Sequence, residues 1–209
     1  LLRKLIEVKM EENVTVIIQG PLSELGIKSL KVYSEDYPVV FSTWNQNSYL
    51  MDELKELAEK KPNVKLVIAE QPDKNNKVGL LEDTTFYYAV AGMDNALQQI
   101  ETEYTIRTRT DEHFEDFQPL ISLVMGVPEN EDKFVCGNIF VRNFHDIPYH
   151  IGDHVYMAKT KYLKNVFSNL RNMYDGNFEI QPWACQSKNI SFTEFFGAPG
   201  GFAAETILG

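Results

Sequence analysis

Short apolar runs rich in β-branched residues alternate, along the first half of the chain, with stretches whose apolar positions recur every three or four residues. NVTVIIQGPL (13–22), PVVFSTW (38–44) and NVKLVIAEQPD (63–73) are runs of the first kind. Continuous apolar character followed by polar or turn-forming residues predicts strands buried on both faces. The first ends in Gly20-Pro21 and the third in a polar loop, both turn signals. GIKSLKVYSEDY (26–37) can be helical, and SYLMDELKELAEKK (48–61) sets apolar residues at helical spacing among good helix formers. In DTTFYYAVAGMDNALQQIETE (83–103), Phe86, Val90, Met93 and Leu97 form the stripe of a helix laid on a sheet, with Asp83 as its N-cap. YTIRTRT (104–110) then alternates as a fourth strand, Arg107 and Arg109 on one face and Ile106 and Thr108 on the other.

Strand and helix in regular alternation predict a parallel, doubly wound α/β sheet flanked by helices. The second half is less regular. FQPLISLVMG (117–126) reads as a helix, KFVCGNIFVRNF (133–144) as a strand alternating in part, and HVYMAKTKYL (154–163) as a strand running into a helix. YLKNVFSNLRNMY (162–174) places Leu163, Val166, Phe167 and Leu170 on one helical face. The expectation is one α/β domain over residues 1–209 with a mixed C-terminal half, residues 13–115 binding one ligand and residues 116–209 supplying a second pocket. No internal repeat or low-complexity segment interrupts this reading.

Composition narrows the partners. With 44% hydrophobic and 12% aromatic residues in 209, the chain has the material for one substantial core. Twenty basic against thirty acidic residues give a net charge of -10, which argues against nucleic acid as a partner but leaves room for a basic pocket taking one small phosphorylated ligand. No apolar run approaches the roughly 18 residues of a membrane span, and LLRKLIEVKM is too short and charged for a signal peptide, so a cytoplasmic protein without a transmembrane segment is expected. Cys136 and Cys185 stand apart with no CxxC spacing and read as buried thiols.

In such sheets ligands lie beyond the carboxyl ends of the strands. The loops there are Gln19-Gly20-Pro21-Leu22, Trp44-Asn45-Gln46, the segment 71–77 and Thr110-Asp111-Glu112-His113, and none contains GxGxxG or GxxxxGK[ST]. A second constellation, HDIPYHIGDHVYMAK, gathers His145, Asp146, His150, Asp153 and His154. Its spacings fit neither HExxH nor a Cys/His knuckle, which weakens a zinc hydrolase reading.

VTVIIQGPL, VVFSTW, EQPDKNN, RTRTD and HIGDH together resemble the WavE-type lipopolysaccharide-synthesis proteins, placed among GT-A-fold, nucleotide-sugar-dependent glycosyltransferases. The resemblance covers about residues 13–160, and GT-A folds of this size also occur in large DNA viruses, where the setting would be the host cytoplasm. It implies transfer of a sugar from a nucleotide-sugar, a UDP-sugar first, to a glycan or lipopolysaccharide-like acceptor, assisted by Mn2+ or Mg2+. A DxD motif is expected at the end of the fourth strand. Here the triplet is Arg109-Thr110-Asp111, lacking the first aspartate. The implied metal ligands are Asp111, His113 and His154, with His150 as an alternative to His154. Two arginines side by side call for anions; a diphosphate would serve Arg107 and Arg109, and so would neighbouring acidic side chains. Gln19, Gly20 and Pro21 would meet the base edge, Trp44 would stack on it, and Asp73 and Lys77 would lie by the phosphates. Asp153 is the expected acceptor-binding carboxylate or general base, with Glu205 after GAPGGFAA as the alternative. Plainer roles stand beside these: Asp111 as a helix cap with Glu112, Glu115 and Asp116 as a solvated acidic face, Trp44 as core, Lys77 as a surface lysine. The missing aspartate also admits a catalytically silent nucleotide- or carbohydrate-binding module of a larger protein.

Overall fold

The central strand β1 (Val14–Gln19) is buried at every position, as its unbroken apolar run requires. The structure, a computed structural model, describes residues 13–70, 84–130, 133–137 and 154–174. β1 pairs in parallel with β2 (Val39–Trp44) on one side and with β4 (Tyr104–Arg109) on the other, while β3 (Val64–Ala69) extends the sheet beyond β2. β6 (Val155–Lys159) runs antiparallel to β4 and carries the short β5 (Val135–Cys136) at the far edge. Among the described residues the order is β3-β2-β1-β4-β6-β5. This is the mostly parallel sheet with a mixed C-terminal half that alternation predicts.

Among the described residues five α-helices cover the two faces: α1 (Glu24–Tyr33), α2 (Tyr49–Lys60), α3 (Thr84–Leu97), α4 (Gln118–Met125) and α5 (Thr160–Tyr174). Side-chain alternation along the strands divides the core in two. Val14, Val16 and Ile18 pack with Ile27, Leu30 and Tyr33 of α1, Leu54 of α2 and Ile121 of α4. Ile17 and Val40 face the other way, onto Met93 and Leu97 of α3 and Leu163 and Phe167 of α5. Each fully buried Leu, Ile or Phe contributes about 1.5–3 kcal/mol. Where predicted elements meet the described residues, they shift mainly at their ends. The helix expected over 26–37 begins at Glu24, and of the strand expected over 133–144 only Val135 and Cys136 are paired among the described residues. Asp83 and residues 138–153 lie outside them.

One topological feature positions the site. From β1 the chain steps outward to β2 and β3, then crosses back through α3 to β4 on the opposite side of β1. The strand order therefore reverses between β1 and β4, and the carboxyl ends of these two strands are where the crevice of an open α/β sheet usually takes its ligand.

Candidate functional site

On the α1 side, the crevice is drawn closed around Thr110, the residue after β4. Gly20 runs at φ 146°, and a Cβ there would stand 2.5 Å from Thr110 Oγ1. The turn therefore requires glycine twice, for its backbone angle and for the approach. The Thr110 N–H donates to Gln19 O at 3.2 Å and the Gly20 N–H to Ser42 O at 3.1 Å. Ser23 caps α1, its Oγ accepting from the Gly26 N–H at 2.9 Å while its own hydroxyl donates to Thr110 O at 2.5 Å. Pro21, just beyond Gly20, is exposed at the rim.

The opposite face carries the polar ends of the strands. Gln19 and Ser42 are opposite one another in the β1–β2 register, as are Gln19 and Arg109 in β1–β4 and Arg107 and Tyr156 in β4–β6. The Gln19 amide turns inward, its Nε2 donating to Ala89 O on α3 and its Oε1 accepting from Arg107 Nε at 3.2 Å. Arg107 is 7% exposed and lies with its guanidinium carbon 5.7 Å from the centre of the Tyr156 ring, within cation–π range. Ser42 Oγ donates to Gly92 O at 2.9 Å, and a Cβ on Gly92 would sit 3.0 Å from Gln19 Nε2 and 3.3 Å from the Trp44 ring. The lack of a side chain at Gly92 thus lets α3 close over the strand ends. Trp44 is half-buried, with its ring 5.2 Å from that of Tyr88.

The three residues after Thr110 go three ways. Asp111 turns out to Arg109, which donates from Nε to Oδ1 at 2.8 Å and from Nη2 to Oδ2 at 2.7 Å. This two-pronged bond pulls the Asp111 carboxyl below the usual carboxylate range, against the smaller opposing effect of partial burial. Glu112 turns in, its carboxylate Oε1 meeting His154 Nδ1 at the start of β6. His113 slides beneath α1, its ring stacked 5.6 Å from that of Tyr33 at an interplanar angle of 4° and its Nδ1 2.9 Å from Ser29 Oγ. The Ser29 hydroxyl also lies 3.1 Å from Glu112 O, as its donor. Tyr33 Oη accepts from the Phe114 N–H at 2.6 Å, and burial pushes the Tyr33 phenol above its ordinary value.

Glu112 is the residue that sequence reasoning misses. Read as part of a solvated acidic face, its side chain is only 20% exposed, and Oε2 is buried without a hydrogen-bond partner among the described residues. Leaving a buried carboxylate oxygen unmatched costs upwards of about 1–3 kcal/mol. Nothing in the spacing marks it, because strand periodicity ends at Thr110. The N-cap of α4 is Phe117, which makes no side-chain cap bond; before it Asp116 accepts from the Gln118 N–H at 2.7 Å, and Asp111 does not cap this helix. Among the described residues no three His, Cys, Asp or Glu side chains gather as a metal cage. Asp73, Lys77, His145, Asp146, His150, Asp153 and Glu205 lie outside the described residues.

No protein-family model and no curated protein matches the chain. Among solved structures it is similar to the mannosyltransferase PcManGT from Pyrobaculum calidifontis in complex with GDP-Man and Mn2+, at 17% identity and TM-score 0.47, over 76% of this chain and 46% of that one. It is also similar to HddC from Yersinia pseudotuberculosis complexed with GMP-PN, at 13% identity and TM-score 0.46, over 73% of this chain and 78% of that one. The chain spans under half the length of the mannosyltransferase. No helix among the described residues is long and apolar enough to cross a membrane.

Proposed function

We propose that this chain transfers a sugar from a nucleotide-sugar donor, a UDP-sugar being the first to test, to the hydroxyl of a glycan acceptor. The observation that carries the reading is the set of side chains at the carboxyl ends of the strands where the order reverses: Arg107 and Arg109 on one face of β4, Gln19 of β1 level with Arg109 and bonded to Arg107, and Trp44 ending β2. A nucleoside diphosphate asks for cations at its phosphates and a flat apolar platform for its base. Arg109 is suited to the phosphates, since its present partner Asp111 is 60% exposed and the bond between them is open to exchange with solvent anions. Trp44 is the platform, and the backbone of Gly20 and Pro21 is the edge the base would meet. The buried Gln19–Arg107 pair holds this floor rigid. Lys77 and Asp73 remain candidates for phosphate contact.

In the reaction the acceptor oxygen attacks the anomeric carbon, the bond from that carbon to the diphosphate breaks, and the acceptor proton passes to a carboxylate, with Asp153 first and Glu205 second. A divalent cation, Mn2+ or Mg2+, would neutralise charge on the departing diphosphate. Carboxylate oxygen and imidazole nitrogen would be apt ligands for one; of the expected ligands Asp111, His113 and His154, the first turns to Arg109, the second to Ser29 and the third to Glu112.

Thermal unfolding with UDP or GDP, with and without Mn2+, tests the reading. At about one hundred times Kd a ligand adds about 2.7 kcal/mol, so the midpoint is expected to rise by several degrees. If no nucleoside diphosphate moves it, the reading is wrong. Release of free sugar from a panel of nucleotide-sugars, blocked by EDTA, marks a transferase. Binding without turnover marks the silent module that the incomplete Arg109-Thr110-Asp111 triplet allows.

A further inference from the structure

We infer that Asp111 is a built-in competitor for the phosphate site: in the ligand-free chain its carboxylate holds Arg109, and a nucleoside diphosphate binds by displacing it. This rests on the proposed donor reading for the identity of the displacing anion, and adds how that same site is kept closed. Arg109 donates from Nε at 2.8 Å and from Nη2 at 2.7 Å to the two Asp111 oxygens. Two N–H donors on one planar fork match two oxygens of a phosphate as they match those of a carboxylate. Asp111 therefore fills, with a single charge, the position that a more highly charged diphosphate would take. Arg107 acts on it as well: behind the Arg109 bonds, and against partial burial, its positive charge helps to hold the Asp111 carboxyl below the ordinary range. The carboxylate thus lies in the field of both arginines.

The contact is arranged to open without disturbing the fold. Arg109 ends β4, opposite Gln19, and Thr110 is clamped at both backbone groups, its N–H donating to Gln19 O at 3.2 Å and its carbonyl accepting from the Ser23 hydroxyl at 2.5 Å. The backbone on either side of the pair is fixed, while the two side chains are 34% and 60% exposed. Rotation of side chains is enough to part them, and an ion pair this open to water is weak enough to yield to a polyanion. Behind it the Gln19–Arg107 bond stays buried and in place. A monoanion from solvent has no advantage in charge over Asp111, whereas a diphosphate does, so the competitor also selects for polyanions.

Isothermal titration calorimetry of the full chain with UDP, GDP and pyrophosphate tests this, in EDTA and at low salt so that neither a cation nor screening intervenes. Asp111→Asn, which keeps the shape and removes the charge, is expected to bind all three about three- to tenfold more tightly than wild type. Glu115→Gln, the same change at an exposed neighbour, is expected to gain nothing. Combined with Arg109→Met, Asp111→Asn is expected to bring no gain, because both changes act on one contact. Circular dichroism melts confirm that each variant is folded. An Asp111→Asn chain that binds nucleotide no more tightly than wild type overturns the competitor and leaves the donor reading standing. A gain that survives without Arg109, or that Glu115→Gln matches, does the same. Pyrophosphate following the expected pattern while UDP and GDP fail to bind supports the competitor and sinks the donor. A chain that takes up none of the three sinks both.

Discussion

Gly20 shows how much one residue at the crevice has to satisfy. Its φ of 146° is open to glycine and strained for other residues, and the position a Cβ would take is already occupied by Thr110 Oγ1. Gly20→Ala is therefore expected to lower stability by about 2 kcal/mol or more, read from the urea midpoint at unchanged m-value. In the sequence Gly20-Pro21 signals a turn, but the second reason for glycine depends on a residue ninety positions away. Asp111, Glu112 and His113 teach the same lesson from the other side. Their chemistry is plain as letters, yet which one faces Arg109, which His154 and which Ser29 is set by three different neighbours. Past the last paired residue of β4 no periodicity assigns a face, so the weight that sequence reasoning puts on Asp111 falls in the structure beside an arginine.

Among the elements, α1 does the most for the site. It starts on the Ser23 cap, whose hydroxyl also holds Thr110 O, and four residues apart it presents Ser29 and Tyr33 to the loop after β4. Removing the cap costs a helix about 0.5–2 kcal/mol. Ser23→Ala is expected to lose at least that, and hydrogen exchange should quicken at Gly26 and along residues 110–114 together, where a change confined to α1 would mean the Thr110 link is idle. Helix and strand identities were largely open to pattern reading, because burial on one stripe or on both faces leaves a period of its own. Val90, Met93 and Leu97 of α3 and Leu163, Phe167 and Leu170 of α5 are buried as their spacing foretells. The strand after residue 133 is the weaker case: its partial alternation says nothing of how much of it finds a partner, and Val135 and Cys136 are the paired positions among those described.

Across the whole molecule the two cores share one sheet, with Ile17 and Ile18 adjacent in β1 and facing opposite ways. Truncating either leaves a cavity in a tightly packed interior, at about 2–5 kcal/mol. Ile17→Ala and Ile18→Ala are each expected to shift a single transition that aromatic fluorescence and far-ultraviolet circular dichroism report at the same midpoint; two separated transitions would mean that the layers unfold independently. The chain's α/β class, the order of its elements and the stripes they bury were determined by the sequence alone, since they follow from local periods of two and 3.6 residues and from continuous apolar runs. Which strands became neighbours, how β6 came to run against β4, and how Glu112 came to meet His154 forty-two positions later were decided only in the tertiary structure. Contacts at that separation carry no periodic trace along the chain, and they form only when the sheet brings distant strand ends to one edge.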